Sequence, residues 1–368
     1  MKIKLAILEH DKLYLKRVKA ILEKRYADKL EVYTFSELEI AIENLKNVKV
    51  DLFLADESFD IEHVKVPSKC GVAYLVDSPE IKTLNGKPAI CKFQKCDLLY
   101  KQMLNLYAEN APSIERVQTE QTEGTRIIGF FSPSGGTGCS TAAAACAVRF
   151  ASQSQKVLYL NLELLGDAEI FFHGEGNGDF GDIIYALKAN ANQLMKQSDK
   201  GEKKGGNLAI RLESLVRQDS TGVHYYAATK LALDMQELTG EELRQLLEEL
   251  RKSGGYDAIL LDLDFSFAHP LLQILSECDS IVMVSDGSAV TNQKLERAVA
   301  SLGILEQQEE RRIQQKMCIL YNRFSTKTSQ MIEIEGIKNI GGIKRFEGYQ
   351  PELLIKQLAN QSEFDVLR

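Results

Sequence analysis

A glycine-rich loop between a predicted strand and a predicted helix constrains this 368-residue chain more than any other feature. The loop spans 132–141, follows the apolar stretch 126–131 and precedes the alanine-rich stretch 142–150. Backbone N–H groups of such a loop converge on a phosphate, and the helix N-terminus adds partial positive charge. Glycines also cluster in ordinary tight turns. The order of strand, loop, helix and second strand is that of a nucleotide-binding β-α-β unit, so we predict phosphate binding.

One position of the loop departs from the standard phosphate-binding sequence. A lysine usually precedes the hydroxyl residue and places a positive charge beside the terminal phosphates of the nucleotide. The residue found there is Cys139, whereas the hydroxyl is retained as Ser140 and can serve as a ligand of Mg²⁺. We therefore expect a nucleotide-binding loop that lacks the cation most important for phosphoryl transfer.

Three polar residues that follow predicted strands are candidates for the same site. Asp262 ends the apolar run 258–261, where a carboxylate can hold magnesium or simply lead the chain into a solvated loop. Glu163 follows the second strand of this half, where it can orient an attacking water or lie exposed in a loop. Asn322 follows the stretch 317–321, and its amide can match the edge of adenine or stabilise a turn.

The overall composition limits the classes of partner and compartment. The formal net charge of −7 argues against a general affinity for nucleic acid, although a local basic patch is compatible with it. The seven cysteines form no C-x-x-C pair, which favours reduced, packed thiols over a metal site. No apolar stretch reaches the roughly eighteen residues that a membrane span needs. We expect a cytoplasmic protein without direct membrane insertion, and any membrane association would come through partners.

Alternating strands and helices indicate an α/β protein of two domains. Residues 111–124 are polar and nearly free of apolar periodicity, which is typical of a linker. We therefore predict one domain at 1–110 and another at 125–368. Strands of the first domain are predicted at 3–8, 30–33, 52–55, 72–76 and 89–93. Strands of the second domain, in a parallel sheet, are predicted at 126–131, 157–162, 223–227, 258–263, 280–284 and 317–321.

The segment 134–141 resembles the deviant Walker A motif of the MinD/ParA ATPases, and the likeness extends over 125–368. Both lysines of that motif are replaced, by Ser134 and Cys139. The resemblance implies a P-loop NTPase sheet, bound ATP and Mg²⁺, and a homodimer that closes face to face over two nucleotides. Nucleotide contacts carry over to Ser134, Gly135, Gly136, Thr137, Gly138, Cys139, Ser140, Thr141, Asn322 and Arg323. Metal contacts carry over to Ser140 and Asp262, and a catalytic role to Glu163.

The first domain is similar to response-regulator receiver domains, which implies a flavodoxin-like, five-stranded parallel sheet. Receiver-site positions carry over to Glu9, His10, Asp11, Asp56 and Lys95. A histidine at position 10 stands among the metal ligands, and Asp77 stands where a Thr or Ser hydroxyl is expected. Both departures weaken phosphoryl chemistry, because a receiver needs magnesium to offset the developing charge. We expect a docking domain in place of a phosphorylated one.

The combination of a degenerate receiver with a lysine-deficient MinD/ParA domain resembles the TadZ/CpaE family of tight-adherence (Flp) pilus systems. The resemblance implies an ATP-binding dimer with little or no ATPase activity. Such a dimer marks a site, often a cell pole, and recruits the secretion ATPase and other pilus components. A ParA-type partitioning ATPase is an alternative that would need the missing lysines and a basic surface for DNA. A signalling protein driven by phosphorylation at Asp56 is another, and a tyrosine kinase would carry a C-terminal tyrosine cluster that is absent here.

Overall fold

The computed structural model describes residues 2–64, 66, 70–110, 124–197, 207–309 and 312–368. The chain divides into two compact units. Unit 1 takes its residues from 1–117 and 190–215, and unit 2 takes its residues from 118–189 and 216–368. Of the predicted linker 111–124, all but Gly124 lies outside the described residues.

Unit 1 contains a sheet flanked by helices. In chain order its first elements are β1 (Ile3–Leu8), α1 (Lys12–Arg25), β2 (Leu30–Phe35), α2 (Leu38–Asn47), β3 (Leu52–Asp56), β4 (Gly71–Val76), β5 (Thr83–Leu84), β6 (Lys87–Cys91) and α3 (Cys96–Asn110). The parallel strands lie in the order β2-β1-β3-β4-β6, which is the flavodoxin-like order. The prediction of a five-stranded parallel sheet is confirmed. The short β5 pairs antiparallel with β6 and adds an edge strand that the sequence did not indicate.

The sheet of unit 1 is buried on both faces, which explains its nearly continuous apolar strands. Leu5 and Ile7 of β1 belong to the core shared with α1 and α3. Ala6 and Leu8 belong to the core on the opposite face, shared with α2. Residues that directly follow β1 and β3 therefore meet at the carboxyl edge of the sheet.

The second half of the chain supplies a larger, mostly parallel sheet. Its elements are β7 (Arg126–Ser132), α4 (Cys139–Ser152), β8 (Val157–Asn161), α5 (Phe180–Gln197), α6 (Asn207–Leu215), β9 (Arg217–Gln218), β10 (His224–Tyr225), α7 (Gly240–Lys252), β11 (Ala258–Asp264), α8 (His269–Glu277), β12 (Ser280–Ser285), α9 (Ala289–Glu309), β13 (Met317–Phe324), β14 (Lys338–Lys344) and α10 (Pro351–Leu358). The strand order is β14-β13-β12-β7-β11-β8-β10-β9, and only the β9–β10 pair is antiparallel. The predicted parallel sheet is confirmed. No helix among the described residues is both long enough and apolar enough to cross a membrane.

Strand β14 was not predicted from the sequence. Gly341 and Gly342 lie in its middle and interrupt the apolar pattern by which strands are recognised. Its pairing with β13 is irregular, with register shifts at Ile319/Leu320 and Tyr321/Phe324. The consequence is functional, because β14 ends at Lys344, next to the candidate nucleotide site.

Helix α6 belongs to unit 1 although it lies within the predicted second domain, 125–368. It packs on α3, with Leu208 and Leu212 buried and Ile210 against the core of unit 1. Its Arg211 pairs with Glu109 at 3.1 Å. The first domain is therefore completed by residues that are distant from it in the sequence.

Candidate functional sites

The glycine-rich loop lies at the carboxyl end of β7, which is flanked by β11 and β12 in the middle of the sheet. Gly138, the last glycine of the loop, has a left-handed φ of 79° and is the N-cap residue of α4. A Cβ atom at Gly138 would lie 2.5 Å from Nδ2 of Asn322. Both the backbone angle and this close contact therefore require glycine at position 138.

Two residues at the end of β13 hold the loop from one side. The amide of Asn322 donates to the carbonyl oxygens of Thr137 and Gly138, at 3.0 and 3.2 Å. Nη1 of Arg323 donates to the carbonyl oxygen of Gly136 at 2.7 Å. We expected the Asn322 amide to face adenine, and the structure instead directs its N–H groups to the loop backbone. These bonds fix the conformation of the loop.

The loop contributes no side-chain cation of its own. Cys139 is the first residue of α4, and burial, together with the nearby carboxylate of Asp262, raises the pKa of its thiol well above the usual value. The thiol is therefore neutral at physiological pH. Ser134, at the position of the other missing lysine, is buried and uncharged.

A fully buried carboxylate, Asp262, lies in β11 beside the loop. Its Oδ2 accepts hydrogen bonds from the Tyr159 hydroxyl at 2.6 Å and the Asn161 amide at 3.2 Å. Its Oδ1 is buried and has no hydrogen-bond partner among the described residues. Burial, and then the negative charge of Glu163, raises the pKa of Asp262 to about 8. An unpartnered buried carboxylate oxygen of this kind is a binding point for a cation.

Glu163 joins the same cluster from the loop after β8. The hydroxyl of Ser140 donates to its Oε2 at 3.2 Å, and its own backbone N–H donates to Asn161 Oδ1 at 3.0 Å. Burial, and then the charge of Asp264, raises the pKa of Glu163. The structure thus brings together the three predicted residues Ser140, Glu163 and Asp262, and the raised pKa values of the two carboxyl groups favour a bound proton or cation there.

This donor set fits Mg²⁺ as a nucleotide-bound ion. Among the described residues, no three His, Cys, Asp or Glu side chains are grouped as a complete metal site. Mg²⁺ is commonly bound by one or two carboxylates plus substrate phosphates and water. The free Oδ1 of Asp262 and the hydroxyl of Ser140 are suitable protein ligands for such an ion.

A cavity of about 110 Å³ lies beside Asn322 and Arg323, between the end of β13 and the segment after β14. Three of its lining residues are basic, namely Arg323, Lys344 and Arg345. An aromatic ring, Phe346, and Thr141 of α4 also line it. Lys344, Arg345 and Phe346 were not among the predicted site residues, because the glycines in β14 hide this strand in the sequence. A basic cavity with an aromatic wall beside a phosphate loop is suited to a nucleotide.

The predicted receiver site of unit 1 contains a lysine at its centre, and this lysine is Lys92. Its Nζ lies 2.6 Å from Asp56, 3.0 Å from Glu9 and 2.9 Å from Asp77. The sequence had indicated Lys95 for the contact with Asp56. The correction has a simple cause, because β6 ends at Cys91 and the residue directly after it is Lys92.

Hydrogen bonds determine the charge of this cluster. Burial opposes ionisation of Asp56, but hydrogen bonds from Lys92 and Ser58 outweigh it and lower the pKa of Asp56 to about 2. For Lys92, burial is likewise outweighed by bonds to Asp56, Asp77 and Glu9, which raise its pKa. Asp56 and Lys92 are therefore both charged across the physiological pH range.

The other two predicted receiver residues have structural contacts. His10 stacks on Phe59 with a centroid distance of 4.0 Å. Asp11 caps α1 by accepting from the backbone N–H groups of Leu13 and Tyr14, at 2.8 and 3.1 Å. Both contacts give these side chains a role in the fold.

Comparison with protein families identifies the first domain. Residues 1–108 match the family model described as TadZ-like, receiver domain. This part of the chain is therefore similar to TadZ-like receiver domains. It carries the Lys92 cluster at the carboxyl edge of its sheet. Comparison with curated proteins gives no match for the chain.

Solved structures similar to this chain are ATPases of the ParA and MinD type. A ParA family ATPase from Chlorobium tepidum TLS is 20% identical, with 65% of this chain and 98% of that chain covered and a TM-score of 0.46. The cell division ATPase MinD of Pyrococcus furiosus is 14% identical, with 66% and 99% covered and a TM-score of 0.45. The MinC:MinD complex of Aquifex aeolicus is 18% identical, with 66% of this chain and 93% of that chain covered and a TM-score of 0.41.

Proposed function

We propose that the chain binds ATP with Mg²⁺ at the loop 134–141 and acts as a nucleotide-controlled, dimerising scaffold for Flp pilus assembly. The observation that carries the nucleotide part is the buried, unpartnered Oδ1 of Asp262 beside a glycine loop. Burying a carboxylate without a partner is costly unless a cation arrives to pair with it. Bound Mg²⁺ with its nucleotide supplies that cation.

Each residue of the site has a proposed part in binding. Backbone N–H groups of the loop, at the N-terminus of α4, bind phosphate oxygens. Ser140 and Asp262 hold Mg²⁺, which offsets the charge of the phosphates. Asn322 fixes the loop through Thr137 and Gly138, so that the N–H groups stay oriented.

We propose that hydrolysis is weak or absent. Neither Ser134 nor Cys139 places a positive charge on the terminal phosphate, and such a charge is a major source of rate enhancement. Glu163 has a raised pKa, which suits a group that accepts a proton from water. The site thus retains a candidate base and lacks the matching cation.

The TadZ-like receiver domain supports the pilus part of the proposal. We propose that it docks pilus assembly and secretion components, since Lys92 occupies the acidic cluster that a signalling receiver would use. The protein would act in the cytoplasm, at a pole or at the membrane periphery through its partners. We propose no direct binding to nucleic acid, because the formal net charge of −7 disfavours contact with a phosphate backbone.

Titration calorimetry with ATP and Mg²⁺ tests the binding step. We expect saturable heat for the wild-type protein and a much weaker response for Asp262→Asn, which keeps the size of the side chain and removes its charge. If folded wild-type protein does not bind nucleotide at millimolar concentration, the proposal is wrong and the loop is only a structural turn.

Sedimentation at several protein concentrations tests the dimer. We expect a larger dimer fraction with ATP than without it, because a nucleotide shared by an interface couples binding to association. An assembly state that ignores ATP, in a protein shown to bind it, would mean that the two sites do not meet. Salt-dependent, nucleotide-stimulated binding to duplex DNA would instead favour the ParA-type alternative.

A further inference from the structure

We propose that Arg323 supplies the positive charge that the phosphate loop lacks, by binding nucleotide phosphate through its guanidinium group. This inference rests on the proposed nucleotide function and assigns a new role to one residue within it. The standard position for this charge, in the first turn of the helix, holds Cys139, which has no basic side chain. A compensating cation must therefore come from another element.

The side chain of Arg323 lies against the loop. Its Nη1 donates to the Gly136 carbonyl at 2.7 Å, and its Nε lies 3.3 Å from the point where a Cβ of Gly138 would stand. Both loop residues are thus within reach of one guanidinium group. Arg323 also lines the cavity beside Thr141, so the guanidinium lies between the loop and the cavity.

The backbone of Arg323 has a left-handed conformation that is strained for a residue with a side chain. Its φ is +56°, a left-handed value that is uncommon for residues other than glycine. Such a residue costs free energy in the folded state and is often found at ligand sites. At Arg323 this conformation accompanies a side chain placed over the phosphate loop.

The guanidinium of Arg323 still has donors to offer. Among the described residues it makes one hydrogen bond, to Gly136, and no ion pair. Arg149 and Arg217, by contrast, pair with Asp365 and Glu169 at 2.7 and 2.6 Å. A guanidinium has five N–H donors in a planar fork that matches phosphate oxygens. Arg323 is exposed, so these donors are accessible to a ligand.

The other cations of the cavity are less suited to this role. Arg345 pairs with Glu347 at 3.4 Å. Lys344 places its ammonium 5.8 Å from the ring centroid of Phe346. Among the described residues neither side chain donates a hydrogen bond to the loop, as Arg323 does. Arg345 is therefore a matched control that carries the same charge on the same cavity.

The test compares Arg323→Gln, Arg323→Lys and Arg345→Gln in the full chain, by calorimetry with ADP and ATP in the presence of Mg²⁺. Glutamine keeps an N–H donor for the Gly136 carbonyl and removes the charge, whereas lysine keeps the charge. We expect Arg323→Gln to weaken ADP and ATP binding about tenfold or more, the loss of one charge-assisted contact. Arg323→Lys should recover most of this loss, and Arg345→Gln, which removes a charge from the same cavity, should weaken binding clearly less than Arg323→Gln does.

Three outcomes are distinguishable. Arg323→Gln that binds like wild type would overturn the inference and leave Arg323 as a support of the loop. Equal losses for Arg323→Gln and Arg345→Gln would also overturn it, because the effect would then come from the general charge of the cavity. A wild-type protein that binds neither nucleotide would refute the proposed function itself. Circular dichroism of each variant checks folding, and Arg323→Lys serves if the glutamine variant does not fold.

Discussion

Replacing Lys92 by methionine gives a sharp test of how the receiver cluster is held together. Lys92 pairs with Glu9 and Asp56, which are only 4% and 5% exposed. Removing one partner from a buried ion pair leaves an uncompensated charge and costs about 3–5 kcal/mol. The side chain of Asp77 is 62% exposed, so its ion pair with Lys92 contributes little to stability. We expect Lys92→Met to destabilise unit 1 by about 3–5 kcal/mol at pH 7.

As the pH falls, the stability of unit 1 should decrease in the wild type and increase in Lys92→Met. In the wild type, the pKa of Asp56 is about 2, below its ordinary 3.8, so it contributes stability above pH 4. That contribution, about 2 kcal/mol, is lost as the pH falls from about 4 to about 2. In Lys92→Met the buried carboxylates lose their cation and their pKa values rise. Protonation then relieves the unpaired charge, and the variant should gain stability as the pH falls from 7 to 5.

Hydrogen–deuterium exchange of β1 and β3 in the full chain measures this effect, because slow amides report the free energy of opening. The control is Lys95→Met, which removes a lysine from an exposed position three residues away. A surface change of this kind should stay within about 0.5 kcal/mol. Equal losses for the two variants, or a Lys92→Met penalty that does not shrink toward pH 5, would refute the charge argument.

Three further predictions concern both sites. Cys139→Lys should raise the steady-state ATPase rate at least about tenfold if Glu163 is a working base, and an unchanged rate would remove that role. Gly138→Ala should abolish nucleotide binding, because its Cβ would lie 2.5 Å from Asn322 at a left-handed φ. Gly135→Ala, with no protein atom within 4 Å of its Cβ, should weaken binding less than Gly138→Ala does. Incubation with a small phosphodonor and Mg²⁺ should leave Asp56 unmodified, and stoichiometric labelling that depends on Asp56 would favour a signalling role.

Much of the fold was predictable because parallel strands buried on both faces have a strong sequence pattern. The five parallel strands of unit 1 and the strands β7, β8, β11, β12 and β13 were predicted from apolar stretches bounded by polar residues, whereas the two-residue β5 was not. Strand β14 lacks such a run, since Gly341 and Gly342 divide it. The position of α6 was not predictable for a different reason. Contacts between α3 and α6 join residues about a hundred positions apart, and no local pattern records them.

The site residues show how a small error at the end of a strand changes a chemical assignment. The predicted fifth strand of unit 1 ended at residue 93, and the observed strand ends at Cys91. A shift of two residues moves the lysine at the carboxyl edge from Lys95 to Lys92. The structure brings Ser140, Glu163 and Asp262 together because the start of α4, the loop after β8 and the end part of β11 meet at the carboxyl edge of one parallel sheet.

The receiver cluster contains a lysine and the phosphate loop lacks one, and this difference has opposite electrostatic consequences at the two sites. In unit 1 Lys92 lies among three carboxylates and offsets part of their charge, so an incoming cation would have to displace an ammonium group that is already paired. In unit 2 the lysine is missing, and Asp262 keeps a buried oxygen without a partner among the described residues. A cation that binds there removes an existing penalty instead of breaking an ion pair. Binding free energy for a metal-bound ligand is therefore available at the phosphate loop and not at the receiver cluster, which is the arrangement expected when nucleotide controls the protein and phosphorylation does not.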